Sequence, residues 1–134
     1  MDSTFLLHFH SGWRYLVILV LVAAIIKFLI GWLAKQHWSQ LDQILGAATP
    51  IMIDIQWLLG LILWVLQQRW NGAVPLASWE HPFTMTLVLA ISHVGWSRVK
   101  KSPNDRDKYR IGTVSFVIAG LLLGLGVARI THTI

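Results

Sequence analysis

Cysteine is absent from this chain of 134 residues. Disulfides, thiolate zinc sites, iron–sulfur clusters and thioether-linked haem are therefore excluded, and any cofactor must be held by histidine, carboxylates or packing. Charge is scarce as well. Asp, Glu, Lys and Arg make up 13% of the residues, about half the share found in an ordinary soluble domain. A soluble fold of this size needs a polar coat that so few charges cannot supply. The 55% hydrophobic content and mean hydropathy of +0.60 point the same way. These shortages exclude a soluble globular enzyme and a disordered tail. The pI near 10.1 does not indicate nucleic acid, because the Lys and Arg sit between long apolar runs rather than along one face. The expected surroundings are a lipid bilayer, and no nucleic-acid partner is expected.

Four apolar segments are present, at about 5–34, 44–67, 81–99 and 111–130. Each is close to the ~20 residues needed to cross ~30 Å of hydrocarbon. The expected fold is all-α: a single domain, 1–134, forming a membrane-spanning up-down-up-down four-helix bundle. Met1–Gly12 does not read as a secretory signal, since Asp2 stands where basic residues belong. Lys35 lies in the first connection, and Arg98, Lys100, Lys101, Arg106, Lys108 and Arg110 lie in or beside the third. Arg14, Arg69 and Arg129 fall on the other side. The positive-inside rule then puts the first and third loops in the cytoplasm and both termini outside, in a bacterial inner membrane. Gly120 and Gly124 form a GxxxG that suits either internal packing or the seam of a homodimer or larger membrane complex. Trp13, Trp70 and Trp79 are expected at the outer interface and Trp32, Trp38 and Trp96 at the inner one, as an aromatic belt.

Ionisable residues inside the spans fall into two layers. Lys27, Asp54 and His93 lie six or seven residues in from the cytoplasmic ends, each ~10 Å deep at ~1.5 Å per residue. They are expected to meet as a buried polar cluster, a Lys27–Asp54 ion pair with His93 nearby, and Gln56 either bridging to it or hydrogen-bonding across helices. Such a cluster sets helix register, relays protons, holds a quinone headgroup or offers His93 as a ligand. His8, His10, Arg14, Glu80, His81, Arg129 and His132 form the outer layer. His10 and Arg14 share a helix face at i, i+4. A faint repeat keeps His, Leu and Val in register between His10–Val17 and His81–Val88, as in a parallel hairpin duplication.

Helices one and three of such a bundle are diagonal, roughly 11–14 Å apart when neighbours are ~8–10 Å apart. That gap suits two imidazoles on opposite faces of a planar macrocycle. His10 and His81 are thus candidate axial ligands of a b-type haem, with Arg14 toward a propionate and Glu80 or the neighbouring carbonyls orienting a ligand imidazole. The alternative is a pair of interfacial histidines. His8 and His37 read as interface or solvated residues, and His132 lies on the side where it could replace a ligand. Trp57 and Trp64 share a face of the second helix, either stacking on a cofactor or packing against neighbours.

The motifs Leu7-His8-Phe9-His10-x-x-x-Arg14-Tyr15, Lys27-x-x-x-Gly31-Trp32, Gln56-x-x-x-Gly60-Leu61, Glu80-His81-Pro82 and His93-x-Gly95-x-x-Arg98-x-Lys100 occur in this order. On these residues the chain resembles, over nearly its full length, the small four-helix bacterial membrane proteins labelled cytochrome b. The resemblance implies a non-covalent haem b and electron transfer, and it falls on His10, Arg14, Lys27, Gln56, Glu80, His81, His93 and Arg98. Dihaem cytochromes b place paired ligands about fourteen residues apart on one helix, whereas His81 and His93 differ by about 120° in direction. One haem, in the outer half of the bundle, is therefore the expectation. The leading function is electron transfer or redox sensing. The alternative is a haem-free or pigment-ligating accessory subunit of a larger membrane energy-conversion complex. A transporter or proton conductor fits less well, for want of inverted repeats and broken helices. No substrate pocket or soluble domain is legible, so a carrier or subunit is expected before a free-standing enzyme.

Overall fold

The computed structural model describes residues 3–133, the side chains of Ser3, Leu76, His132 and Thr133 excepted; the ligand role considered for His132 thus lies outside the described residues. The chain is helical: α1 (Ser3–Leu33), α2 (Gln40–Leu66), α3 (His81–Lys101) and α4 (Asp105–Thr133). A 3-10 turn at Arg69–Asn71 and a π-turn at Leu76–Glu80 lie between α2 and α3. Local chemistry sets the boundaries. Ser39 and Asp42 form a reciprocal capping box that starts α2. Pro82 occupies the first turn of α3, where no N–H donor is needed. Hydropathy alone placed the starts of α2 and α4 several residues late, because polar first turns such as Asp105–Arg110 are helical without being apolar.

Each long helix packs on two others: α1 on α2 and α4, and α3 on α2 and α4. The diagonal pairs make little contact. The core seam runs through Val17, Leu21, Ala24 and Phe28 of α1 and Tyr109, Phe116, Ala119 and Leu123 of α4, all buried. Their three- and four-residue steps are those of knobs-into-holes packing. α1, α2 and α4 are long and apolar enough to cross a membrane. α3 is not among them, because Thr84, Thr86, Ser92, His93 and Ser97 dilute its apolar run.

One end of the bundle is closed by a buried acid. The Asp42 side chain is fully buried, and its Oδ1 lies 2.8 Å from Lys27 Nζ. Tyr109 Oη donates to Asp42 Oδ2 at 2.5 Å, and the Ser39 backbone N–H and hydroxyl donate to the same oxygen. Groups from α1, α2 and α4 thus meet on one carboxylate. Around it, Phe28, Trp38, Trp96, Tyr109 and Phe116 form an aromatic cluster, with Phe28–Trp38 and Trp38–Tyr109 centroids both 5.1 Å apart. The Tyr109 ring lies over Gly31 and the Trp96 ring over Gly46, where any Cβ would overlap the ring. Trp38 and Trp96 therefore pack inward instead of forming an interfacial belt, and the Trp13 indole donates to the Met52 carbonyl. Trp70 and Trp79 remain exposed.

The expected Lys27–Asp54 pair is not made. Lys27, six residues from the end of α1, reaches Asp42 and Gln36 Oε1, whereas Asp54 lies fourteen residues into α2, two before the Gln56 that bonds to His10. Of the expected GxxxG seam, Gly120 is covered by Leu21 and Ile25 of α1, while the Gly124 position is open.

Asp42→Ala removes the cap and strands the Lys27 ammonium, and is expected to cost about 3–5 kcal/mol. The combined change Lys27→Met with Asp42→Leu strands no charge and should cost less than Asp42→Ala alone. Thermal unfolding in detergent reads both. A double change that costs as much as the two singles added together would show that the pair is uncoupled.

Candidate functional site

Seventeen residues of α1 separate His10 from Lys27, about 25 Å along the helix axis. At that far end the bundle is not filled. A cavity of about 540 Å³ lies between the helices, within the ~300–1,000 Å³ range of small-molecule sites. α1 contributes His10 and Arg14 to its lining, α2 Gln56 and Gly60, and α3 His81. Trp57 and Trp64 also line it. Their indole N–H groups are already engaged, Trp57 with Thr86 Oγ1 at 3.0 Å and Trp64 with the Ser78 carbonyl at 2.8 Å. Ring faces, not donors, are what these two offer an occupant.

The two imidazoles are placed alike. His10 on α1 turns toward the backbone of Gln56 on α2, and His81 on α3 toward the backbone of Gly126 on α4. Neither Nδ1 completes a hydrogen bond of standard geometry, and both are buried. The hairpin repeat seen in sequence thus has a spatial counterpart, each histidine facing the second helix of its own hairpin. Gly60 is what admits the His10 ring. A Cβ there would stand 3.2 Å from His10 Cε1. The Gln56 amide donates to the His10 carbonyl at 3.0 Å, tying α1 to α2 beside the ring.

The lining is basic: Arg14 and Arg69 bring charge, His8, His10 and His81 bring imidazoles, and no Asp or Glu contributes. The two histidines lie within electrostatic reach of both guanidiniums, and His10 within reach of His81. Burial pulls the Arg69 guanidinium below its ordinary pKa. The Glu80 carboxylate is ion-paired with Arg129 and lies within electrostatic reach of His81, whose ring turns to the Gly126 backbone. Among the described residues, five buried side-chain atoms lack a partner. Four of them belong to the lining: His10 Nδ1, Arg14 Nε, Gln56 Oε1 and His81 Nδ1. Buried polar atoms are rarely left unpaired, so their concentration marks a site that water or a ligand completes.

The expected inner cluster separates into three places. Lys27 joins Asp42, Gln56 lines the cavity, and Asp54 pairs with His93 at 2.6 Å with both side chains nearly half exposed. His37 is fully exposed, 3.4 Å from Asp105. Arg98 is exposed near the end of α3. Two contributions were missed from sequence. Asp42 was legible, since Ser39-x-x-Asp42 is a capping signature. Arg69 was not: the left-handed Gln68 (φ 53°) and Gly72 (φ 75°) fold the chain between α2 and α3 so that its guanidinium comes over the cavity.

Gly60→Val is expected to drive the His10 ring out of its position. The ring resonances of His10 should shift in NMR spectra of labelled protein while those of His37 stay fixed. Unchanged His10 resonances would mean that the ring does not rest on Gly60. In comparisons with known proteins, no family model, curated protein or solved structure matches this chain.

Proposed function

We propose that the protein is an integral membrane b-type haem protein that transfers electrons or senses redox state. Its four helices span the bacterial inner membrane in alternating directions, with both termini outside and the first and third connections cytoplasmic. The observation that carries the haem reading is the placement of His10 and His81, half-buried with enclosed Nδ1 atoms, on non-adjacent helices at one cofactor-sized cavity. Among the described residues no group of three or more His, Asp or Glu is arranged to hold a bare metal ion. Two imidazoles suit a metal that brings its remaining ligands with it, as a macrocycle does.

The cavity's chemistry fits that group. A neutral imidazole that directs Nδ1–H toward a carbonyl keeps Nε2 free as a ligand atom, and the Gln56 and Gly126 backbones are positioned to favour that tautomer. Arg14, with its unpartnered Nε, would receive a carboxylate. Trp57 and Trp64 supply apolar ring faces that exclude water. Haem, when bound, supplies reversible one-electron chemistry. The chain's part is to hold two ligands on a rigid scaffold in a low-dielectric space, which tunes the potential. The resemblance to four-helix cytochrome b-like proteins supports the same reading.

An oxidised and reduced visible spectrum of the purified protein tests it. Low-spin b-haem absorption is expected in the parent chain and in His37→Ala, and is expected to vanish in His10→Ala and in His81→Ala. A featureless parent spectrum would favour the haem-free accessory subunit. Equal loss in His37→Ala would sink the ligand pair. Sidedness is open to a separate measurement, because the chain is free of cysteine. Single cysteines at Gln36 and Ala73 should be labelled by an impermeant thiol reagent from opposite sides of the membrane. Labelling of both from one side would refute the alternating spans.

A further inference from the structure

α2 and α3 leave one face of the bundle uncovered, and an ion pair sits in its middle. Asp54 Oδ1 and His93 Nε2 are 2.6 Å apart, with 43% and 49% of their side chains exposed. Asp54 lies fourteen residues from Gln40 and twelve from Leu66, so about 18–21 Å of helix extends on either side. In the bilayer placement proposed above, that is near the midplane, where ionisable groups are expensive and face protein or water, not lipid. Something covers this pair.

The surrounding surface shows the shape of what does. Ile51, Leu58, Leu61 and Val65 of α2 are 40–56% exposed. With Asp54 they fall on steps of three and four, the stripe by which one helix seats on another. The same face of α3 is built from smaller residues, Thr86, Ala90 and Ser97. The Asp54–His93 and Trp57–Thr86 bonds show the two helices running in opposite directions. Counted from Asp54–His93, Ile51, Leu58 and Leu61 stand within about one residue of the levels of Ser97, Ala90 and Thr86. Large side chains on α2 are thus level with small ones on α3.

We propose that this face is the seam of a homodimer, formed about a twofold axis along the membrane normal, with α2 of each copy seated on α3 of the other. A twofold axis along the normal preserves level, so each large α2 residue meets a small α3 residue of the second copy. Charge is reversed in the same way. A carboxylate accepts at both oxygens and an imidazolium donates from both ring nitrogens. Within one chain only Oδ1 and Nε2 are engaged. The twofold axis offers Nδ1–H of each His93 to Oδ2 of the other copy's Asp54, closing a neutral ring of two acids and two imidazoliums away from lipid. A second copy supplies both reversals, in size and in charge. This seam lies on α2 and α3, not on the Gly120/Gly124 face of α4. It rests on the bilayer placement, and its Leu61 and Thr86 also line the cavity.

The absence of cysteine makes cross-linking clean. Chains carrying Leu58→Cys and chains carrying Ala90→Cys, with different tags, are mixed in lipid vesicles and oxidised. A disulfide between the two tagged chains is expected. Val114→Cys, exposed on α4, mixed with Ala90→Cys should give none. Ala90 is exposed in the single chain, so Ala90→Phe should fold normally, shift the detergent-solubilised mass from dimer to monomer and reduce cross-linking of a Leu58→Cys mixture at least tenfold. A parent chain that is monomeric in vesicles, a dimer indifferent to Ala90→Phe, or a different subunit found on this face would each overturn the proposal. Release of the chain from membranes by alkaline carbonate would instead overturn the bilayer placement beneath it.

Discussion

The fully buried carboxylate of Asp42 is the constraint on which the rest of the bundle depends. An ionised group without water must be surrounded by donors, and here they come from three helices: the Lys27 ammonium, the Tyr109 hydroxyl and the Ser39 cap. Meeting at one point fixes the rotation and height of α1, α2 and α4 together. Apolar packing alone tolerates sliding, because one methyl group replaces another at little cost. A hydrogen-bonded charge does not. The rings of Phe28, Trp38 and Tyr109 then exclude water from the same end and strengthen the bonds they enclose.

The opposite end is built on the contrary plan. Large rings fill the Asp42 end, whereas the His10 end keeps a cavity open and lines it with two arginines and three imidazoles, with no acid among them. Such an arrangement is unfavourable by itself. It places the unpaired Nδ1 atoms of His10 and His81 and the Nε of Arg14 in one space, which an anionic or metal-bearing occupant would relieve. Rigidity at one end supports precision at the other, since the histidines on α1 and α3 are only as well placed as the helices that carry them.

Much of this was legible in the residues. Runs of apolar sequence, the Ser39–Asp42 cap, Pro82 at a helix start and the scarcity of charge lead to helices packed as a bundle. His10 and His81 could be paired because a repeat put them at equivalent points of two hairpins. The partner of Lys27 could not be read. Depth counted from the hydropathic ends fails because α2 begins at Gln40, so Asp54 lies fourteen residues inside it, near the level of His10, whereas Lys27 lies six residues from Leu33. Gln56 takes the second of its two expected parts, a hydrogen bond across helices, donating to the His10 carbonyl of α1.

Composition and long apolar runs thus determined that this chain is helical and apolar, because those properties are sums over residues or depend on near neighbours. Tertiary structure alone decided that Asp42 receives Lys27 and Tyr109, that Arg69 comes over the cavity through two left-handed residues, and that Asp54 and His93 face outward. Each of these outcomes depends on helix rotation and on loop conformation. Contacts between residues distant in the chain set both, and no local stretch of sequence encodes them.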